Sequence, residues 1–328
     1  MPLASPSHIL AQNFDTNDLA FKKIDEKIAA LQENIRSLNA FRNTFTPSYH
    51  LPPEILTYIF SLFEKDPILP LRRRIRRGGI SIQFTWLVAT RVSQHWRNVA
   101  LGSPGLWAYI SNSYPKRVIE ELLQRSKAAP LSVHLNHGRL QSVFFIGTSL
   151  PRIYNLKLIV DADTWNTFWS NLSSPAPLLE SLSVSISDTS QPLPTISNST
   201  FAGTTPSLRR LDLTGCSVDV TSSLFKELTT LRLNCPFEKI SATDILTVLR
   251  GLPQLTSLAL SHVFPENPTT LIPSNFNTVA LPKLKSLSIN GETYSQDLDF
   301  LSYLAVPAYS IQFCSTTESL TDDELVNV

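Results

Sequence analysis

The sequence is poor in cysteine, glycine and methionine, with three, ten and one of these residues among 328. Three cysteines are too few, and odd in number, for a disulfide scaffold, so we expect free thiols in a reducing compartment. A chain with so little glycine is a poor match for folds that cradle a nucleotide in a glycine-rich loop. We therefore expect no cofactor, and a cytoplasmic or nuclear location, or both.

Charge of one sign and long apolar runs are also lacking. Lys and Arg number 28 against 27 Asp and Glu, a net charge of +1, and charged residues make up only 17% of the chain. This balance gives no reason to expect nucleic acid or an anionic membrane as a partner. No apolar run approaches the ~18 residues that span a bilayer, and residues 1–14 lack the basic start and apolar core of a signal peptide. We expect no membrane partner.

The motifs on which many catalytic sites are built are absent as well. The sequence contains no Gly-x-Gly-x-x-Gly, Walker loop, nucleophile elbow or His-Glu-x-x-His. His134 and His137 lie close together at the end of an expected strand, but no nearby cysteine or carboxylate pair completes a metal site. We therefore expect a protein that is not an enzyme, with no catalytic, cofactor-binding or metal-binding residues.

What is present begins with a heptad pattern between residues 17 and 46. Its apolar residues recur at alternating spacings of three and four: Phe21, Ile24, Ile28, Leu31, Ile35 and Leu38. This spacing predicts an amphipathic helix with a coiled-coil seam, over a length that is marginal for an independent coiled coil. Three interpretations stay open: the seam packs against the next domain, against a second copy of the chain, or against a partner helix.

Two further helices are predicted between residues 51 and 107. In the first, over residues 51–60, two prolines and Glu54 suit the first turn. Its apolar face consists of Ile55, Leu56, Ile59 and Phe60. The second is predicted over residues 86–100, with apolar positions at spacings of four, four and three: Val88, Val92, Trp96 and Val99. Residues 103–107, Ser-Pro-Gly-Leu-Trp, then end this helix and return an aromatic ring to it.

These blocks resemble an F-box. The resemblance rests on Leu51-Pro52-Pro53-Glu54-Ile55-Leu56 with Ile59-Phe60, on residues 92–100 (Val-Ser-Gln-His-Trp-Arg-Asn-Val-Ala), and on Pro104 with Leu106-Trp107. More narrowly, the sequence resembles the large F-box family of mushroom-forming fungi, in which a short heptad helix often precedes the box. It departs from that family at Ser93, where cysteine is common, and in the long insert from Asp66 to Phe84.

The resemblance implies that the chain docks a Skp-family adaptor and, through it, a cullin complex. It would then be the substrate-recognition subunit of a Skp–cullin–F-box type ubiquitin ligase, in the ubiquitin-like conjugation pathway. The residues expected to bind the adaptor or to fill the core of the box are Leu51, Pro52, Ile55, Leu56, Ile59, Phe60, Val88, Val92, Trp96 and Trp107. The sequence does not divide these two roles among them.

A repeat occupies most of the chain after residue 150. Each copy places three aliphatic residues at spacings of three and two behind a Pro or Lys. The copies are Ile153/Leu156/Leu158, Leu179/Leu182/Val184, Leu208/Leu211/Leu213, Leu228/Leu231/Leu233, Leu255/Leu258/Leu260 and Leu284/Leu287/Ile289. They begin 26, 29, 20, 27 and 29 residues apart, within the range of roughly 20 to 29 residues that is typical of leucine-rich repeats.

The repeat predicts a parallel sheet of stacked strands, because residues two apart in a strand point to the same side. Helices, such as segments 165–172 and 242–250, are expected to cover its outer side. A helix over residues 114–127, a first strand over 131–135 and a last strand over 309–313 are also predicted.

We therefore predict an α+β to α/β fold in three parts. Residues 1–46 form the N-terminal heptad helix, residues 47–110 a small all-α F-box domain, and residues 111–328 an irregular leucine-rich-repeat solenoid. Its parallel sheet would lie on the concave side and its helices on the convex side. The alternative to ligase function is a leucine-rich-repeat scaffold that binds partner proteins without ubiquitylation.

The strand residues that flank the inward aliphatics are expected to face the concave side and to bind an unknown protein substrate. Most are small and uncharged, and the charged ones are Lys157, Arg210, Asp212 and Arg232. Two interpretations stay open. Asp212 pairs with Arg232 in the next repeat, or the stripe carries free positive charge and favours an acidic or phosphorylated segment.

Two remaining features concern single segments. The run Arg72–Arg77, with five arginines in six residues, suits a solvated loop, a nuclear import signal, or contact with an acidic partner or nucleic acid. Nucleic-acid binding through this run, in the nucleus, is a third and weaker functional interpretation. Cys216 falls at the turn position of its repeat, where we expect a buried, unreactive thiol.

Overall fold

The computed structural model describes residues 6–65, 85–136, 145–161, 165, 172–186, 195–196, 199–265, 272, 276–291 and 294–307. For residues 6–17, 63–65, 85–86 and 294–296 it describes the backbone alone. Several features of the sequence lie outside these residues: the run Arg72–Arg77, His137, residues 166–171 of the helix predicted over 165–172, the third cysteine, Cys314, and the strand predicted over 309–313. The chain divides into two compact units, residues 1–106 and 107–328.

The first unit is helical in its described part. Its α-helices are α1 (Pro6–Thr44), α2 (Pro53–Lys65) and α3 (Gln94–Gly102), and its short 3-10 helices include Pro47–His50 and Thr85–Arg91. The buried apolar side chains are Leu56, Phe60, Ala89, Val99, Ala100 and Leu106. Phe60 packs against Trp96, with ring centroids 5.4 Å apart. The Thr57 and Ser103 hydroxyls, 2.7 Å apart, add a polar link between α2 and the end of α3.

The prediction of one continuous helix over residues 86–100 is wrong. The chain forms the 3-10 helix Thr85–Arg91, turns at Val92 and begins α3 at Gln94. Ser93 has an extended backbone, and its hydroxyl accepts a hydrogen bond from the Trp96 N–H at 3.2 Å, so it caps a new helix. As a result Val88 and Val92 do not continue the apolar face of α3, and both are exposed.

The heptad seam of α1 does not pack against the next domain, which corrects the first of the three interpretations. All six seam residues are exposed, with between 46% and 68% of their surface accessible. Among the described side chains of α1, those in its last turns contact the remainder of the unit, and they include the half-buried Ala40, Asn43 and Thr44. These three residues lie on the face opposite the seam, so the packing of α1 leaves the seam uncovered.

The second unit is built on one sheet of eight parallel strands. In the order in which they pair across the sheet, its strands are β1 (Tyr109–Ser111), β2 (Leu131–Asn136), β3 (Ile153–Val160), β4 (Ser181–Ile186), β6 (Arg210–Thr214), β8 (Thr230–Asn234), β9 (Ser257–Ser261) and β11 (Ser286–Asn290). The chain thus has a mixed α/β fold with a parallel main sheet, as the repeat predicted. The first strand is β1 rather than β2, which corrects that part of the prediction.

The remaining elements are short. They are the strand pairs β5 (Thr195–Ile196) with β7 (Ser217–Val218) and β10 (Val279–Ala280) with β12 (Leu304–Ala305), and the helices α4 (Lys116–Arg125), α5 (Ile146–Ser149), α6 (Ala242–Arg250) and α7 (Tyr294–Ser302). Helix α6 confirms the helix predicted over residues 242–250, and the Ser241 hydroxyl caps it by accepting a hydrogen bond from the Asp244 N–H at 3.1 Å. The expectation that helices cover the outer side is only partly correct, because short strands and 3-10 turns replace several of them.

The core of the second unit follows the repeat residue by residue. Neighbouring strands align Leu156, Leu182, Leu211, Leu231, Leu258 and Leu287 in one row, and Leu158, Val184, Leu213, Leu233, Leu260 and Ile289 in a second. Every residue of both rows is buried. The first aliphatic residue of each copy, ahead of the strand or at its start, is buried too. The spacing of the repeat therefore fixes both the register of the sheet and the face that it buries.

Candidate functional site

Helix α2 presents apolar side chains on two faces. Leu56 and Phe60 lie in the core, whereas Ile55, Tyr58 and Leu62 are exposed. The exposed residues follow the spacing i, i+3, i+7, which places them along one side of the helix. The sequence interpretation missed Tyr58 and Leu62, although this second helical spacing is present in the sequence.

Other apolar side chains of the first unit are exposed beyond α2. We call the whole group the exposed apolar set: Ile55, Tyr58, Leu62, Val88, Val92 and Leu101. The helices that carry them pack on one another within the first unit. Single exposed apolar residues are ordinary, but several on neighbouring helices of one small unit are typical of a protein interaction site.

The residues expected to bind the adaptor or fill the box separate by burial. Leu56, Phe60 and Trp107 are buried, and Leu51, Ile59 and Trp96 are half-buried. Pro52, Ile55, Val88 and Val92 are exposed. Trp107 belongs to the second unit, where the Arg125 guanidinium lies 4.6 Å from its ring centroid. The buried residues therefore serve the core, and the exposed ones are accessible to a partner.

A small cleft lies where α1 ends beside α3 in the first unit. It has a volume of about 280 Å³ and is lined by Phe41, Tyr49 and His95, among others. The Tyr49 and His95 rings pack at an interplanar angle of 42°, with centroids 4.7 Å apart. His95 Nε2 is buried and has no hydrogen-bond partner among the described residues. The sequence interpretation assigned nothing to this cleft.

The exposed face of the main sheet carries the four predicted charged residues. Strand pairing aligns His134, Lys157, Ser183, Asp212, Arg232, Ala259 and Ser288 in one row across the sheet. The parallel row holds Tyr109, Ser132, Asn155, Ser181, Arg210, Thr230, Ser257 and Ser286. Both rows face away from the aliphatic core, as the alternation of the strands predicted. We refer to them together as the polar rows.

Asp212 and Arg232 are Cα partners in β6 and β8, as the first interpretation of this stripe required. No ion pair within 4.0 Å joins them, however, among the ion pairs of the described residues. Burial raises the pKa of Asp212, and the positive charges of Arg232 and Lys157 offset part of that rise. Lys157, Arg210 and Arg232 are all exposed. The stripe therefore presents three cations to solvent around one half-buried carboxyl.

The polar rows extend further than the sequence interpretation placed them. His134 lies beside Lys157 in the next strand, and its Nδ1 is 3.2 Å from the Tyr109 hydroxyl. Burial and the Lys157 charge lower the pKa of His134, and a hydrogen bond with Asn136 opposes the change. The missed signal was the alternation Leu131, Val133, Leu135, which already turned His134 toward the exposed face.

The two cysteines that the structure describes, both in the second unit, are buried thiols. Cys216 and Cys235 are free and buried. Burial raises the pKa of Cys216 to about 12 and that of Cys235 to about 11. A thiol with such a pKa is almost entirely protonated at neutral pH, which agrees with the prediction for Cys216.

Neither a metal site nor a membrane span is found in the described part of the chain. There, no three side chains of His, Cys, Asp or Glu are grouped as metal ligands. No described helix combines the length and apolar character required to cross a bilayer. The chain has no match among known protein families or curated proteins.

Proposed function

We propose that the protein is the substrate-recognition subunit of a Skp–cullin–F-box type ubiquitin ligase. In this proposal the helical first unit docks a Skp-family adaptor, and the sheet of the second unit binds a protein substrate. The protein performs no chemistry of its own and acts by bringing the substrate close to the ligase.

The observation that carries the proposal is the two-sided apolar character of α2. A helix of a soluble unit normally buries one apolar stripe and exposes polar residues on the other side. Here Leu56 and Phe60 fill the core, and Ile55 remains 47% exposed within the same motif block. The exposed positions coincide with the block that resembles an F-box, where adaptor contact is expected.

The second unit supports the substrate-binding half of the proposal. Its strands recur at the spacings of the leucine-rich pattern and stack in register, as expected for a leucine-rich-repeat solenoid. Such a stack presents one long face for a partner. The three exposed cations Lys157, Arg210 and Arg232 favour an acidic or phosphorylated segment on that face.

Binding to a purified Skp-family adaptor tests the docking surface. The variant Ile55→Asp with Val92→Asp places two charges in the exposed apolar set without altering the core. We expect it to weaken adaptor binding by about tenfold or more, since charges in an apolar interface must be desolvated.

A matched variant and a folding measurement keep this experiment decisive. Asn98→Asp adds a charge at an exposed site of α3 outside the apolar set and should leave the adaptor Kd nearly unchanged. Unaltered thermal melting of each variant shows that the unit is folded. Failure of the folded wild-type chain to bind the adaptor would favour the scaffold alternative instead.

A further inference from the structure

The heptad seam of α1 is a long apolar surface that remains exposed among the described residues. The helix has 39 residues, and its exposed apolar side chains recur from residue 21 to residue 45. In heptad terms the a positions are Phe21, Ile28, Ile35 and Arg42, and the d positions are Ile24, Leu31, Leu38 and Phe45. We propose that this seam pairs with the seam of a second copy of the chain in a parallel, two-stranded coiled coil.

The residues of the α1 seam favour a coiled coil of two parallel helices. The central layers place β-branched Ile28 and Ile35 at a positions and γ-branched Leu31 and Leu38 at d positions. This combination fits the a and d layers of a parallel dimer and disfavours trimers and tetramers.

The flanking positions do not oppose such a pair. In a parallel dimer each g residue faces the e residue five positions later on the partner helix. These cross-strand pairs are Ala20 with Asp25, Lys27 with Gln32, and Asn34 with Asn39. None places like charges together. The charged residues Lys23, Glu26, Glu33 and Arg36 lie on the outer positions, where they remain in water.

The packing of α1 within its own unit leaves the seam available. Ala40, Asn43 and Thr44 contact the unit from the f, b and c positions, which lie opposite a and d. A second copy can therefore approach the seam without displacing these three residues.

The area of the seam approaches what a specific dimer needs. Each apolar seam residue still exposes between 46% and 71% of its surface. Burying side chains of this kind removes roughly 60–120 Å² each, so seven per copy give on the order of 1,000 Å² across both copies. That value is close to the lower end of specific interfaces, about 1,200 Å². Pairing of the two α1 seams does not depend on adaptor binding.

The mass of the full chain in solution, measured by light scattering across a concentration series, tests the proposal. We expect the wild type to reach twice the mass of one chain. Ile28→Glu with Ile35→Glu should reduce the mass to that of a monomer, since both charges fall in the seam. The control Ala29→Glu with Ser37→Glu adds the same charges on the outer face of α1 and should stay dimeric. Circular dichroism confirms that α1 remains helical in both.

Cysteine cross-linking then tests the orientation. In a parallel pair, Ile24→Cys and Leu38→Cys each form a disulfide with the same residue of the second copy. In an antiparallel pair neither position faces its own counterpart, so a dimer in which both variants fail to cross-link would overturn the parallel arrangement. A wild type that stays monomeric at every concentration, or that forms a trimer or tetramer, would overturn the two-stranded pairing.

Discussion

Ile55 and Leu56 are adjacent in α2, yet Leu56 is fully buried while Ile55 keeps 47% of its surface exposed. Successive helical residues point about 100° apart, so neighbours can serve a core and a surface at once. This relationship separates the two roles that the sequence left undivided. A Leu56→Asp variant would therefore report on folding rather than on adaptor binding.

Alanine substitutions at the two positions should differ sharply in their effect on stability. Leu56→Ala should lower the free energy of unfolding by about 2–5 kcal/mol, because it leaves a cavity in the core of the first unit. Ile55→Ala should change it by no more than ~0.5 kcal/mol. Urea unfolding followed by circular dichroism measures both, and equal losses would contradict the assignment of core and surface.

The pH dependence of stability should report on Asp297. This residue of α7 is buried, its Oδ2 accepts a hydrogen bond from the Gly291 N–H at 3.0 Å, and its Oδ1 has no hydrogen-bond partner among the described residues. Burial raises the pKa of Asp297, and the Gly291 hydrogen bond offsets part of the rise.

A raised pKa means that the folded chain binds this proton more tightly than the unfolded chain does. The contribution to stability is therefore complete below the unfolded value of about 3.9 and is lost as pH rises through the folded pKa. Asp297→Asn should remove that part of the pH dependence while keeping an acceptor for the Gly291 N–H. If the free energy of unfolding changes with pH in the same way for the wild type and for Asp297→Asn between acid and neutral pH, Asp297 is not the group responsible.

Thiol labelling should spare the buried cysteines. With pKa values of about 12 and about 11, Cys216 and Cys235 should react with a maleimide only as fast as the second unit opens. Peptide mass spectrometry after timed labelling distinguishes the sites. Rapid modification of Cys216 in the native chain would mean that its surroundings are open to solvent.

Substrate capture should depend on the cations of the polar rows. Arg210→Ala with Arg232→Ala should abolish capture of an acidic or phosphorylated substrate while adaptor binding and Tm stay nearly unchanged. Lys116→Ala with Arg117→Ala removes the same charge from exposed sites of α4 and serves as the control. Quantitative proteomics of the captured proteins makes the comparison. If Arg210→Ala with Arg232→Ala captures substrates normally, the recognition surface lies on the loops instead.

The sheet was predictable from sequence because its signal is both local and repeated. Each strand carries Leu211 and Leu213, or their counterparts, at a spacing that only one register can bury. Six similar copies make that register unambiguous. The same alternation placed Asp212 opposite Arg232, but it could not reveal that the two side chains do not form an ion pair.

The helical unit was harder to predict because capping outweighed periodicity. Val88, Val92 and Trp96 fit one helical stripe, yet Ser93 offered its hydroxyl to the Trp96 N–H and began a new helix. A side chain that competes for backbone hydrogen bonds can interrupt a helix even where the apolar pattern of the sequence continues. The exposure of the α1 seam was likewise hidden, since a heptad looks the same whether its partner lies in the same chain or in another.

Co-purification from cells tests most sharply whether the chain is a subunit of a Skp–cullin–F-box type ubiquitin ligase. A tagged full-length chain is captured at physiological salt, and the adaptor and cullin in the captured material are quantified by mass spectrometry. We expect both proteins in near-stoichiometric amounts with the wild type, and their loss with Ile55→Asp and Val92→Asp combined. A folded wild-type chain that captures neither protein would contradict the proposed function.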